Sequence, residues 1–144
     1  MEGENMNKNS LLFKRINHIG IVVRDLSEAL KAYSAGFGGG TTKIVEIPEA
    51  HLKAAVLETE NVEVELLEYQ NLELPLIKSL RGDRTGINHV CYEVEKMEEA
   101  LKKLKKKGFK LIEGFPRKGV HGKIAFLIPP HTIEERIEIL EVEK

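Results

Sequence analysis

The sequence predicts an α+β fold made of two tandem βαβββ modules. The first reason is an internal repeat. Ile16-Asn17-His18-Ile19 matches Ile87-Asn88-His89-Val90 at a spacing of 71 residues, and Val64-Glu65-Leu66-Leu67-Glu68 matches Ile137-Glu138-Ile139-Leu140-Glu141 at a spacing of 73. Val23 with Val94, and Ala29-Leu30-Lys31 with Ala100-Leu101-Lys102, continue the match. A period this long exceeds a solenoid unit and points to a duplicated module. The second reason is that each copy has the same order of hydrophobic periods: an alternating run, a helical run, then three short alternating runs.

In the first copy, residues 16–24 alternate and are β-branched, which reads as a strand. Asp25 is a helix N-cap for 26–37, where Leu26, Ala29, Leu30 and Tyr33 fall at helical spacing. Glycines at 36 and 38–40 end that helix. Three strands are expected at 42–47, 52–59 and 62–69, the last two joined by a turn at Glu60-Asn61. In the second copy, 86–94 is a strand and 95–107 a helix with Met97, Leu101 and Leu104 inward, a lysine-rich outer face and Gly108 as its stop. Strands follow at 110–113, 123–128 and 136–142.

These elements divide the chain into a flexible arm at 1–14 and one domain at 15–144. Within the domain, module one is 15–70, the linker is 71–85 with a short amphipathic piece at 74–80, and module two is 86–144. The length of 144 residues is enough for one buried core. With 22 basic and 23 acidic side chains the net charge is −1, which argues against nucleic acid as a partner. No apolar run approaches the ~20 residues that span a bilayer, so no membrane segment is expected. A single cysteine, Cys91, allows no internal disulfide, and a polar start without a signal peptide predicts a cytoplasmic setting. Cys91 itself reads as a buried structural thiol. The lysines at 102, 103 and 105–107 read as a solvated helix face.

The repeat also selects residues for chemistry. His18 and His89 hold the same place in each module, as do Glu65 and Glu138. Alternation puts His18 with Ile16, Gly20 and Val22 on one strand face, and Ile19, Ile21 and Val23 on the core face. By the same rule Glu63, Glu65 and Leu67 share a face, and so do Arg136, Glu138 and Leu140. Two related sheets are therefore expected to close on a cleft presenting two imidazoles and two carboxylates. Such a mixed N/O set suits a divalent ion of the Co, Zn, Ni, Mn or Fe kind with positions left open for water or substrate. A carboxylate within a Val/Leu strand needs a partner, which a metal ion provides.

These residues resemble the vicinal oxygen chelate superfamily, whose members pair βαβββ modules around a metal, over roughly residues 15–143. Within it the sequence is most similar to the methylmalonyl-CoA epimerases. The stretches that carry this are His18-Ile19-Gly20-Ile21, Pro48-Glu49, Glu65-Leu66-Leu67-Glu68, Gly86-Ile87-Asn88-His89-Val90, Pro116-Arg117-Lys118-Gly119-Val120-His121-Gly122-Lys123 and Ile137-Glu138-Ile139-Leu140-Glu141. The resemblance implies metal ligands at His18, Glu65, His89 and Glu138, and a glyoxalase-like fold around a metal-binding cleft. It also implies an isomerase that inverts the α-carbon of methylmalonyl-CoA, or of a related 2-acyl-CoA acid, by α-proton abstraction, with Glu49 and Glu138 as the two acid/base groups. The metal would act as a Lewis acid.

Arg117, Lys118, His121 and Lys123 are candidates for binding the phosphates of a coenzyme A substrate, with Gly119 and Gly122 letting backbone N–H groups approach. Arg136 stands where the family has an apolar residue. If it faces the cleft, it binds a substrate carboxylate or pairs with Glu63. Ala50-His51 replaces the flexible pair usual after the catalytic glutamate. The rival enzyme is glyoxalase I, a lactoylglutathione lyase of the same fold. That family has an Arg four residues past its first His ligand and an Asn four past its first Glu; here those positions are Val22 and Tyr69. A non-catalytic binding member of the superfamily is the other alternative. Members commonly pair, so a homodimer is expected.

Overall fold

A computed structural model describes residues 11–38, 44–132 and 134–143. The elements run β1 (Arg15–Val22), α1 (Leu26–Phe37), β2 (Val45–Ile47), a 3-10 turn (Pro48–Ala50), β3 (Leu52–Leu57), β4 (Glu63–Tyr69), α2 (Pro75–Arg81), β5 (Gly86–Val94), α3 (Met97–Lys106), β6 (Lys110–Leu111), β7 (Arg117–Lys118), β8 (Gly122–Ile128) and β9 (Arg136–Val142). The fold is mixed α+β and dominated by its sheet, as expected. No helix among the described residues is long and apolar enough to cross a membrane.

The strands form one sheet in the order β2-β3-β4-β1-β5-β9-β8-β6, with β7 paired to β8. Two separate sheets were expected. They merge because β1 and β5, the first strands of the two copies, pair antiparallel with each other, while each also pairs parallel with the last long strand of its own copy, β4 or β9. The order is thus symmetric about the β1–β5 seam. β7 was not expected: the basic turn is a hairpin in which Arg117 faces Ile124 and Lys118 faces Lys123.

α1 and α3 cover the same side of the sheet. Leu26 on α1 packs with Ala55, Leu57 and Leu66. On α3, Met97, Ala100, Leu101 and Leu104 pack with Ile137 and Ile139 of β9. Each such large side chain contributes roughly 1.5–3 kcal/mol by leaving water. Asp25 caps α1 by accepting from the Glu28 N–H at 3.0 Å, and Gly38 ends it in the left-handed conformation. Residues 39–43 lie outside the described residues, and with them part of the glycine run and of the strand expected at 42–47. So do residues 1–10 of the expected arm. Residues 12–14 are docked: Leu12 and Phe13 pack on the α3 cluster, Phe13 stacks on Tyr92 at 4.5 Å, and the Lys14 N–H reaches Glu93 O at 2.8 Å.

The opposite face of the sheet holds a third cluster, in which Val22, Leu67, Tyr69 and Phe126 meet Ile77 and Leu80 of the linker helix α2. Alternation along β1 fails at one point. Ile16 pairs with Tyr92 and His18 with Cys91, so Asn17 is an extra residue in a β-bulge. Ile16 therefore sits opposite Tyr92 on the α3 side and does not share the face of His18. The same device recurs in β5, where Gly20 pairs with His89 and Ile21 with Ile87, leaving Asn88 as the extra residue.

Candidate metal centre

His18 on β1, His89 on β5 and Glu138 on β9 come from the three central strands of the sheet, and all three are buried. The Glu138 Oε1 lies 3.0 Å from His18 Nε2 and 3.2 Å from His89 Nε2, and the two Nε2 atoms are 3.3 Å apart. Among the described residues these three offer ligand atoms within 4.8 Å of one another. His89 owes its place to Gly20, because a Cβ there would fall 2.3 Å from the His89 ring. Phe126 closes the other side with an edge-on contact at 5.2 Å.

Each histidine is held from behind. The Asn17 Oδ1 is 2.8 Å from His18 Nδ1, and the Asn88 Oδ1 is 2.8 Å from His89 Nδ1. The amide orientations follow from the other ends: Asn17 Nδ2 donates to Glu93 Oε2 at 3.0 Å, and Asn88 Nδ2 donates to Leu80 O and Arg81 O at 3.1 Å each. Each Nδ1 therefore carries a proton, which leaves Nε2 as the ligand atom of each ring; without a metal the two Nε2 atoms share the Glu138 Oε1. Such a donor set fits a divalent cation of the borderline kind.

The electrostatics show the same demand for positive charge. Burial works against ionising Glu138, yet hydrogen bonds from His18 and His89 hold its carboxyl down at about 2. Burial disfavours a charged His18, but Glu138, with Glu65 and Glu63 beyond it, more than offsets this and raises its pKa. Glu65 stands differently. Its carboxylate approaches His18 from the Nδ1 side, at 3.5 Å, and lies outside the three-residue group. Burial pushes its carboxyl upward, against the pull of His18.

The centre opens into a cavity of about 670 Å³ whose walls are mostly apolar, with Leu67, Leu80, Phe115 and Phe126 among them. Glu49, exposed on the 3-10 turn, lines the same cavity as His18, Glu65, His89 and Glu138. Arg117, Lys118 and His121 of the β7–β8 hairpin line it too. Lys123 and Arg136 do not. Lys123 is exposed and outside the lining, and Arg136 sends its Nε to Ser79 O at 2.8 Å, binding the C-terminal end of α2. The acids around Arg136 are Glu134 and Asp83, and burial lowers its pKa. The Gly119 N–H is already used inside the hairpin, on Gly122 O at 2.7 Å. His51 is turned to Asn71, with Nδ1 2.6 Å from its amide nitrogen.

A model of the glyoxalase/bleomycin resistance protein/dioxygenase superfamily matches residues 17–126. The chain belongs to this superfamily. Within it, the chain is similar to mitochondrial methylmalonyl-CoA epimerase of Mus musculus, at 29% identity over 117 residues, which is 81% of this chain and 66% of that protein. The chain thus spans just under two thirds of that relative. The Dictyostelium discoideum methylmalonyl-CoA epimerase is 30% identical over 128 residues, covering 88% of this chain and 77% of that protein. A solved methylmalonyl-CoA epimerase in complex with methylmalonyl-CoA and NH4+ matches with a TM-score of 0.70 at 25% identity, over 90% of this chain and 94% of that one.

The roles of Asn17, Asn88 and Tyr69 are not legible in the sequence, whereas Cys91 is buried as expected. Asn17 and Asn88 were visible as repeats of the Asn-His pair, but their role depends on the bulges. Tyr69 lines the cavity, and burial together with Glu138 and Glu65 pushes its phenol well up, so its proton is retained. Cys91 was read as structural. It is fully buried opposite His18 and Glu138, and burial with the Glu138 charge keeps the thiol protonated.

Proposed function

We propose that this protein is a metal-dependent epimerase of methylmalonyl-CoA or a related 2-acyl-CoA acid. The observation that carries this reading is the presence of a second carboxylate, Glu49, on the wall of the cavity that contains the His18–His89–Glu138 centre. The kinship with methylmalonyl-CoA epimerases supports the choice of substrate.

An α-carbon between a thioester and a carboxylate is acidic enough for a carboxylate to take its proton when the developing negative charge is stabilised. Inversion then requires the proton to return on the other face, so two acid/base groups are needed. Glu49 comes from the β2–β3 edge of the sheet and Glu138 from β9 in its interior, and they serve as this pair. Glu138 is held ionised by its two histidines. A divalent ion would be held by His18, His89 and Glu138; Glu65, which lines the same cavity on the Nδ1 side of His18, would become the fourth ligand by turning its carboxylate, and when bound the ion supplies Lewis-acid stabilisation of the substrate's oxygens. The apolar walls exclude water from the acidified carbon, and Arg117, Lys118 and His121 hold the phosphates of the coenzyme A portion at the hairpin.

The glyoxalase I alternative has less support. Its glutathione-binding positions would be Val22 and Tyr69, which are both buried in one apolar cluster and offer neither a guanidinium nor an amide. The test is to load the protein with Co2+ and incubate it with methylmalonyl-CoA in deuterated water. One deuterium should enter the α-position faster than in the metal-free control. Glu49→Gln should lose inversion of the α-carbon while keeping one metal ion per chain. Exchange no faster than the control, with turnover of the glutathione adduct of methylglyoxal instead, would sink the epimerase reading.

A further inference from the structure

We propose that Asn17 and Asn88 are positioning residues of the metal centre, which hold His18 and His89 with both Nε2 atoms aimed at one point as the ligand atoms. The proposal rests on the metal site of the preceding section and not on its substrate.

Three observations carry it. Both asparagines are the extra residue of a β-bulge, at repeat-equivalent places on either side of the β1–β5 seam. A bulge re-aims a side chain within a ladder. Here it turns the Asn amide back towards the histidine that follows it, a contact that strict alternation would forbid. Both Oδ1 atoms then accept from an Nδ1 at the same distance, 2.8 Å. A neutral imidazole has one donor and one acceptor nitrogen, so fixing the proton on Nδ1 leaves Nε2 as the ligand atom. Finally, both amides are themselves anchored, and by different parts of the chain. Asn17 is fixed by Glu93, which lies 3.8 Å from Arg15 Nε. Asn88 is fixed by Leu80 O and Arg81 O, the carbonyls that end α2.

The second anchor has a consequence of its own. The helix α2 carries Leu76 and Leu80, which line the cavity. Its terminal carbonyls are held by Asn88, adjacent to the ligand His89, and by Arg136, two residues before the ligand Glu138. Metal loading on His89 therefore restrains the cavity wall through Asn88, whereas Asn17 has no such connection.

The test uses the full chain and two probes that need no substrate. Co2+ affinity should fall about 10- to 100-fold in Asn17→Ala and in Asn88→Ala, the cost usual for removing an outer-shell partner of a metal ligand. Amide hydrogen exchange over residues 75–82 should slow on Co2+ binding in the wild type and in Asn17→Ala, and lose that response in Asn88→Ala. Imidazole 15N shifts of the Zn2+-loaded wild type should show Nδ1 protonated and Nε2 metal-bound in both histidines, a readout that stands even if an alanine variant does not fold. Affinities within twofold of wild type in folded variants, or an Nδ1-bound metal at either histidine, would overturn the proposal. Because neither probe involves turnover, failure of the epimerase assay leaves the proposal standing, and its own failure leaves that assay untouched.

Discussion

Gly20 lies directly opposite His89 across the β1–β5 seam, so close that a Cβ on Gly20 would stand 2.3 Å from the imidazole. The ring cannot yield, because Phe126 meets its other side edge-on at 5.2 Å and Asn88 holds Nδ1. Gly20→Ala is therefore expected to expel His89 from the metal centre. The strain should cost about 1–3 kcal/mol by urea unfolding. Metal content, measured on the folded variant, should fall well below one ion per chain. Full metal content with unchanged stability would show that the ring has room to move.

The pairing of His18 with Glu138 makes the stability of the metal-free protein depend on pH in two windows. Glu138 has its carboxyl depressed to about 2 against an ordinary 4.5, so its contribution is present above 4.5 and is lost as pH falls towards 2. His18 has a raised pKa, so its contribution is full below 6.5 and is lost as pH rises through the raised value. Glu138→Gln keeps an acceptor oxygen but removes the charge, leaving only Glu65 and Glu63 to favour a charged His18 against burial. The variant should lose the acid-side fall near pH 2–4.5 and show a weaker alkaline-side decline, when unfolding free energy is followed from pH 2 to 9 without metal. An unchanged alkaline limb in the variant would show that Glu138 is not what keeps the His18 proton.

The fold was largely legible because repeat and periodicity report on the same thing, which face of each strand is buried. His18, His89 and Glu138 converge because each follows alternation on its strand once the bulges are allowed for, and the faces of β4 and β9 follow it throughout. The bulges were not legible: an extra residue changes pairing without changing hydropathy, so Ile16 was assigned to the wrong face. Arg136 failed for a different reason. Its Cα is on the expected side, but a long side chain reaches beyond its own position, and the open carbonyl of Ser79 at the end of α2 captured it. The position of α2 itself, packed against the sheet as part of the cavity wall, depends on contacts between distant segments that no local pattern encodes.

The second glutamate of each repeated motif has a structural duty. Glu68 Oε1 accepts the N–H of Leu26 at 2.8 Å, and Glu141 Oε1 accepts that of Met97 at 2.6 Å. Each carboxylate thus satisfies a free N–H at the start of a helix and meets the positive end of its dipole. The N-cap of α3 is Lys96, which has no side-chain cap of its own, whereas α1 also has Asp25. Glu141→Ala should therefore cost about 1–2 kcal/mol in urea unfolding, and Glu68→Ala less, about 1 kcal/mol. Both should bind Co2+ like the wild type, which separates this duty from that of Glu65 and Glu138. An equal loss in the two variants would mean that Asp25 does not share the load.

Arg117 and Lys123 are six residues apart on one hairpin but differ in what they can reach. Arg117 lines the cavity, its guanidinium held 4.6 Å above the Phe115 ring and its Nε 3.2 Å from Gly114 O. Lys123 lies outside the lining. A guanidinium fixed in this way loses little entropy on meeting a phosphate, and the contact is made equally in the ground and transition states. Arg117→Ala is therefore expected to raise KM for the acyl-CoA about 10-fold, equivalent to about 1.4 kcal/mol, with kcat nearly unchanged. Lys123→Ala should change neither. The Arg117 effect should also shrink as salt is raised, because added ions screen the same phosphates. A fall in kcat at constant KM would instead mean that Arg117 acts on the reacting end of the substrate, and the assignment of the hairpin to the coenzyme A phosphates would have to be abandoned.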